Sequence, residues 1–555
     1  MDALSLLIAL LPIVSSFLLL ILLRMPAKTA MPLVLLLTVI LSGFVWRVPF
    51  LYIAASAVEG LFAAASILWI VFGALLLLKT LSHSGALHRI QAGFNRISPD
   101  RRVQVILVAW FFGAFIEGIA GFGTPAALGA PLLIALGFPA LAAVVLTLIA
   151  NSVPVSFGAV GTPVVIGMDQ GLRVAGQPAP MVEGWTDGLP LDLYVQSVAV
   201  QAVTIDILIG SLVPLLLCGI LTRFFGQNRS WREGLSLWKF ALFAGVLFEL
   251  PALAVAAFIG PEFPSIIGGI MGLGIATLAA RRGFLLPRKH WDDFAVEKIK
   301  PDFVMGQSAP PRDIKMNLAV AWMPYLLVTV LLIATRLPFL PLRSFLSGYA
   351  ISWTDIFGTG VQASLALLYL PGSVFLLVVL MSIWVFRLNG QAVRSVFAET
   401  TTAIKPAAIA LCAAVPMVRI FVNTDMNALG FDSMPLVLAG GAAEMTGAGW
   451  PLFAPMVGAL GSFLAGSATF SNMMFSLLQF SAALQVEVLP RIMLAAQMLG
   501  ANAGNMISIA NIIAVASITG LSGREGLILR YTIGPMLAYV LLVGFNCLIW
   551  TMVLG

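Results

Sequence analysis

Two twelve-residue runs carry most of the polar groups that an otherwise apolar chain offers for chemistry. Residues 113–124 read GAFIEGIAGFGT and residues 461–472 read GSFLAGSATFSN. Five positions match without gaps: Gly113 with Gly461, Phe115 with Phe463, Gly118 with Gly466, Ala120 with Ala468 and Phe122 with Phe470. Each run is followed by an apolar stretch with an Ala-Asn pair, Ala150-Asn151 in the first and Ala501-Asn502 in the second. Gly-dense sequence makes poor continuous helix. An unwound helix bares N–H and C=O groups that lipid cannot satisfy, so they must line a polar cavity or hold a ligand. Helices that restart there present partly positive N-termini, which suit a carboxylate. On this reading Gly121, Gly123, Thr124, Ser467, Ser471 and Asn472 offer donors to a small anion. Asn151, Ser156, Asn502 and Asn505 line the same site from the following stretches. A single glycine here is explained as well by close helix packing; the pairing of two such runs is what favours a binding site.

Three acidic side chains, Glu117, Asp206 and Glu249, fall inside apolar stretches. A charge at the bilayer centre costs about 2.5–3.5 kcal/mol on insertion scales, and a carboxyl escapes much of that by binding a proton. Glu117 has no counterpart in the second run, where Ala465 stands, so the repeat is asymmetric in its one ionisable group. Glu117 and Asp206 are therefore the candidates for a proton-coupling site, while Glu249, beside Pro251, reads as a structural hydrogen-bonding group. Arg419, near the end of its stretch, has three uses: meeting a substrate carboxylate bidentately, snorkelling to the interface, or pairing with Asp425.

Other chemistries find little support. Cys218, Cys412 and Cys547 lie singly in apolar segments, and His83, His88 and His290 all fall in basic loops, so no metal spacing, disulfide framework or clustered catalytic constellation is visible. That disfavours a membrane-embedded enzyme, and no cofactor or metal is expected. The formal net charge is +6, but the basic residues sit between apolar runs and no basic domain exists to bind nucleic acid.

The elements that must hold these residues are membrane spans. Of 555 residues 60% are hydrophobic and only 10% charged, far from the composition of soluble domains, and the mean hydropathy is +1.03. A span needs about 20 apolar residues. Twelve are read at 3–23, 30–46, 60–78, 139–165, 195–221, 240–259, 264–280, 318–335, 361–384, 407–422, 492–518 and 531–554. The Gly-rich stretches 103–136 and 450–480 are instead read as re-entrant hairpins, and 434–447 is ambiguous. Lys and Arg mark cytoplasmic loops. They concentrate after the third span (Lys79 to Arg102), after the fifth (Arg223 to Lys239), after the seventh (Arg281 to Lys315), after the ninth (Arg387 to Lys405) and before the last (Arg524, Arg530). If each hairpin returns to its own side, these loops alternate correctly and both termini lie outside the cytoplasm. The first hairpin then enters from the cytoplasm and the second from outside, an inverted repeat. The expected organisation is an N-terminal membrane half (1–282), a charged cytoplasmic linker (283–315) and a C-terminal membrane half (316–555).

The sequence resembles the lactate permease family. The resemblance rests on GAFIEGIAGFGTPAALGAP at 113–131, the Asn-bearing stretch 150–158, GSFLAGSATFSN at 461–472, and 504–511 with Gly523-Arg524-Glu525-Gly526. Order, spacing and length agree over essentially the whole chain. The resemblance implies an all-α polytopic carrier in the bacterial plasma membrane. It further implies uptake of L-lactate, D-lactate or glycolate, usually with a proton, with a Na⁺-coupled carrier of another small organic anion as the nearest alternative.

Overall fold

The computed structural model describes residues 3–23, 25–94, 97–121, 123–186, 188–294, 316–337 and 340–554. Phe122, Arg96, Asp187 and most of the linker (295–315) lie outside these residues. The described chain is overwhelmingly helical. Eleven helices are long and apolar enough to cross a membrane, or up to twelve if one bent pair counts as a span. Two short antiparallel strand pairs, Arg173–Val174 with Gln177–Pro178 and Ile351–Trp353 with Ala363–Leu365, sit in connecting segments.

Both Gly-rich stretches fold back on themselves. In the first, a leading arm Arg101–Ala120 turns through Gly121 and Gly123 into a returning arm Thr124–Ala135. The leading arm is apolar and long enough to span, yet all of it beyond Arg101 is buried, and the returning arm ends beside its start. The Arg101 guanidinium donates to the Leu136 carbonyl there and to Gln104 Oε1 at 3.1 Å. In the second, Trp450–Ala465 turns through Gly466 and Ser467 into Ala468–Gln485. Trp450 Nε1 donates to Gln479 Oε1 at 3.0 Å, and Gln479 Nε2 donates to the Ala454 carbonyl at 3.0 Å. The left-handed tip residues explain the glycines: Gly123 has φ +77° and Gly466 φ +69°, a region other residues enter at a cost.

The base of the first hairpin is fixed by a buried ion pair. Asp100 caps the leading arm by accepting from Arg102 N at 3.0 Å, and its other oxygen meets Arg102 Nη2 at 2.6 Å. The same guanidinium donates to Ser236 Oγ at 2.6 Å and to the Glu233 carbonyl. Asp100→Ala leaves a buried guanidinium unpaired and removes a helix cap, so it is expected to destabilise the protein by about 3–5 kcal/mol. The check is its thermal unfolding in detergent beside that of the parent.

Of the two stretches after the hairpins, the first is not the continuous span that sequence suggests, and the second is one span, Pro490–Ile518, with a short helical interruption. The first, read as 139–165, breaks at Asn151 into Ala140–Ala150 and Val153–Gly171, bent by 53°. Within the second piece Ala159, Val160 and Gly161 have φ of +44°, +57° and +70°, so the backbone makes a left-handed turn. The second, read as 492–518, is interrupted between Pro490–Asn505 and Ile509–Ile518. The stretch 361–384 also differs: its helix is only Pro371–Val385, because Ala363–Leu365 is paired as a strand and Pro371 starts a helix where its missing N–H costs nothing. The ambiguous run becomes a helix, Met434–Thr446, ended by Gly447 at φ +50°.

The two halves interlock. The returning arm of the second hairpin packs on Pro163–Met168 of the first broken helix, and the returning arm of the first packs on Ile509–Ile518 of the second. Close approach depends on bare glycines: a Cβ on Gly167 would strike the Thr469 carbonyl, and one on Gly171 the Asn472 carbonyl. Beside this unit, Phe50–His83 packs along Gly390–Val422, with Gly60 against the Pro416 backbone and Lys79 bridged to Glu399 at 3.0 Å.

Candidate functional site

Where the two hairpin tips approach the two helix breaks, the structure leaves one small cavity. Gly121 and Gly123 line it from the first tip, and Gly466, Ser467, Ala468 and Thr469 from the second. Val155, Gly158, Ala159 and Pro163 belong to the first break and Asn505 to the second, while Glu117 projects from the leading arm. Only about 20 Å³ of the cavity is open to the centre of a water-sized sphere, so the tips must part to admit a solute.

Two helix N-termini face this space from opposite halves. Gly123 precedes the returning arm Thr124–Ala135, and Ser467 caps Ala468–Gln485, its hydroxyl accepting from Phe470 N at 3.4 Å. Both ends carry the partial positive charge of a helix N-terminus, which attracts an anion, although Thr124 N already donates to the Gly121 carbonyl at 3.0 Å and Ser471 N to the Ser467 carbonyl at 3.2 Å. Glu117 supplies the opposite character. It is buried, its Oε1 lies against the bare Cα of Gly158, Asn151 reaches the same carboxyl, and Oε2 has no partner among the described residues. The second break is held by polar contacts: Asn511 Nδ2 donates to Asn505 Oδ1 at 2.7 Å, and Ser508 Oγ accepts from Asn511 N at 3.4 Å.

Of the residues that sequence singles out, Glu117, Gly121, Gly123, Ser467 and Asn505 line the cavity. Asn151 approaches it through Glu117, and Thr124 begins the helix behind Gly123. The others are turned to structural bonds. Ser471 Oγ donates to the Gly458 carbonyl at 2.8 Å and accepts from Gln497 Nε2 at 3.0 Å. Asn472 Nδ2 donates to the Pro163 carbonyl at 3.0 Å, tying the second hairpin to the first break. Asn502 Nδ2 donates to Ser156 Oγ at 2.6 Å, joining the two broken helices. Asp206 lies apart from the cavity, with Tyr539 Oη donating to its Oδ1 at 2.7 Å.

Arg419 is engaged elsewhere. It is fully buried and pairs with Glu59 at 2.5 Å, and it also donates to the Gln170 and Arg173 carbonyls at 2.6 and 3.0 Å. Asn423 Nδ2 completes the cluster by donating to Glu59 Oε2 at 2.8 Å. Glu59 escapes the sequence reading because the third span is drawn from Gly60. Asn511 escapes it because its stretch reads as continuous helix; the signal was the pair Gly504-Asn505 before Ser508.

The profile of the L-lactate permease family matches residues 5–554. The chain belongs to that family. A putative L-lactate permease of Haemophilus influenzae is 31% identical, over 94% of each chain. The glycolate permease GlcA of Escherichia coli is 29% identical, over 98% of this chain and 95% of its own length. The L-lactate permease of Bacillus subtilis is 29% identical, over 97% of this chain and 94% of its own. Membership in the L-lactate permease family makes the chain a multi-pass membrane transporter and not an enzyme.

Proposed function

We propose that this transporter takes up lactate, glycolate and related small 2-hydroxy monocarboxylates with a proton, across a bacterial plasma membrane. The observation that carries the reading is the convergence of two helix N-termini and one uncompensated carboxyl, Glu117, on a single small cavity. In this reading the N-termini and Ser467 take the substrate carboxylate, and Asn505 and Thr469, which line the same cavity, take its 2-hydroxyl group. Glu117 takes the proton, which lowers the charge that must cross the membrane. The names of the relatives support lactate and glycolate as the substrates. The matching breaks in the two halves support a carrier with an occluded site over a passive channel.

The test is uptake of labelled lactate, glycolate and succinate into vesicles, with proton and Na⁺ gradients imposed separately. Concentration of the two monocarboxylates by the proton gradient alone is expected. Accumulation that follows only Na⁺, or that favours succinate, overturns the reading.

Ser467→Ala and Asn505→Ala each remove a polar group facing the cavity, so each is expected to weaken lactate binding by about ten- to hundred-fold. Ser471→Ala, which loses a buried structural bond instead, should lower thermal stability and leave affinity near that of the parent. Equilibrium binding to purified protein separates the two behaviours.

A further inference from the structure

Asp206 and Glu249 belong to no part of the cavity described above, yet they meet. They stand on Leu191–Ile220 and Trp238–Phe258, helices packed side by side. Gly210, one turn beyond Asp206, opens the room between them. A Cβ there would strike Glu249 Oε1 and lie 3.2 Å from Asp206 Oδ2. The two carboxyls therefore converge on one spot, 3% and 2% exposed. Tyr539 donates to Asp206 Oδ1 at 2.7 Å, while Glu249 Oε1 has no partner among the described residues. The ionisable groups facing the pair from the surrounding helices are the two carboxyls themselves and Tyr539. Neither carboxyl is in an ion pair with a described Lys, Arg or His residue.

Two adjacent carboxylates without a counter-cation in an apolar interior cannot both stay ionised. The small cavity beside them is walled by Ala202, Phe248, Ala252, Met498 and Leu499, with Ser156 the one hydroxyl. A hard metal cation seeks about six oxygens, and the side chains of this wall offer only the two carboxyls and the Ser156 hydroxyl. A proton needs only the two carboxyls.

The same wall leads to the transport site. Val153, Ser156 and Phe157 face the carboxyl pair, whereas Val155 and Gly158 line the substrate cavity. One short 3-10 turn, Val153–Phe157, thus separates the two, pinned by Asn502 through Ser156. We propose that Asp206 and Glu249 form one proton-binding unit, loaded and emptied during the transport cycle, which senses the substrate cavity through the segment Val153–Phe157. Its role in the cycle rests on the proton-coupled reading given above; its binding of a proton does not.

The test uses full-length protein with Asp206→Asn, Glu249→Gln and both together. In vesicles, each single variant should lose proton-driven lactate accumulation by about tenfold or more and keep lactate exchange. The double variant should be no worse than either, because members of one unit do not add. Without substrate, a pH step on purified wild type should give an infrared difference signal from a titrating carboxyl, altered by either single change. Tyr539→Phe keeps both carboxyls and should shift the midpoint of that signal. This arm also decides the matter if an amide variant misfolds. Wild-type accumulation by Glu249→Gln, or an infrared titration indifferent to Glu249→Gln or to Tyr539→Phe, overturns the unit. A signal that appears only with added Na⁺ overturns the proton as its ligand. If wild type fails to accumulate lactate, the transport reading falls while the infrared result still judges the pair.

Discussion

Glu117→Gln is expected to abolish accumulation of substrate against a gradient while leaving exchange of internal for external substrate within about threefold of the parent. Gln has the shape of the protonated carboxyl and occupies the same room, which exists because Gly158 carries no side chain. It keeps the capacity to hydrogen-bond with Asn151 but has no proton to release. A cycle that must carry a proton in and return without it stalls, whereas exchange never needs the empty return. The measurement is paired: concentrative uptake and counterflow in the same reconstituted vesicles. Concentrative uptake by the variant under a proton gradient alone would make Glu117 structural and leave Asp206 and Glu249 as the coupling groups.

Gly121→Ala is expected to weaken substrate binding by about 5- to 150-fold, the equivalent of roughly 1–3 kcal/mol of backbone strain. Gly121 sits at φ +58°, ψ −156°, a conformation reached essentially by glycine alone. Its missing Cβ would also stand 2.9 Å from Ala159 Cβ and 3.0 Å from Ala159 N. Ala159 cannot easily give way, since it is itself left-handed at φ +44°. The new methyl group therefore pushes the first tip off the first break, where the cavity lies. Gly430→Ala is the control: φ is +70° but nothing lies within 4 Å of the added carbon, so it should cost stability without affinity. Equal loss of lactate affinity in both variants would show that strain alone, not the tip, is responsible.

Sequence made the architecture readable because its signals are local. Apolar length gives the spans, and two Gly-rich runs too polar at their tips for lipid give the hairpins. Position within the hairpins was harder. Ser467 and Asn505 line the cavity while Ser471 and Asn472, only four and five residues beyond Ser467, bond backward to Gly458 and across to Pro163. One helical turn decides which hydroxyl meets the cavity, and composition does not carry that phase. The breaks at Asn151 and after Asn505 were hidden because the flanking residues are apolar enough for continuous span. Glu249 was read alone as a structural group because its partner lies 43 positions earlier on another helix, brought near by Gly210.

The interlocking of the two halves has a consequence for biogenesis. The returning arm of the first hairpin rests on Ile509–Ile518, and Pro163–Met168 rests on the returning arm of the second. A nascent chain that has delivered only its first 282 residues therefore holds a polar hairpin tip at Gly123 and a helix segment, Pro163–Met168, whose neighbours Asn511 and Ala468–Gln485 have not yet been synthesised. Those surfaces cannot be left to lipid. The first half must wait, sheltered by the insertion machinery or by water, until more than 200 further residues arrive to close it. The charged linker between the halves joins two portions of one core that is completed last.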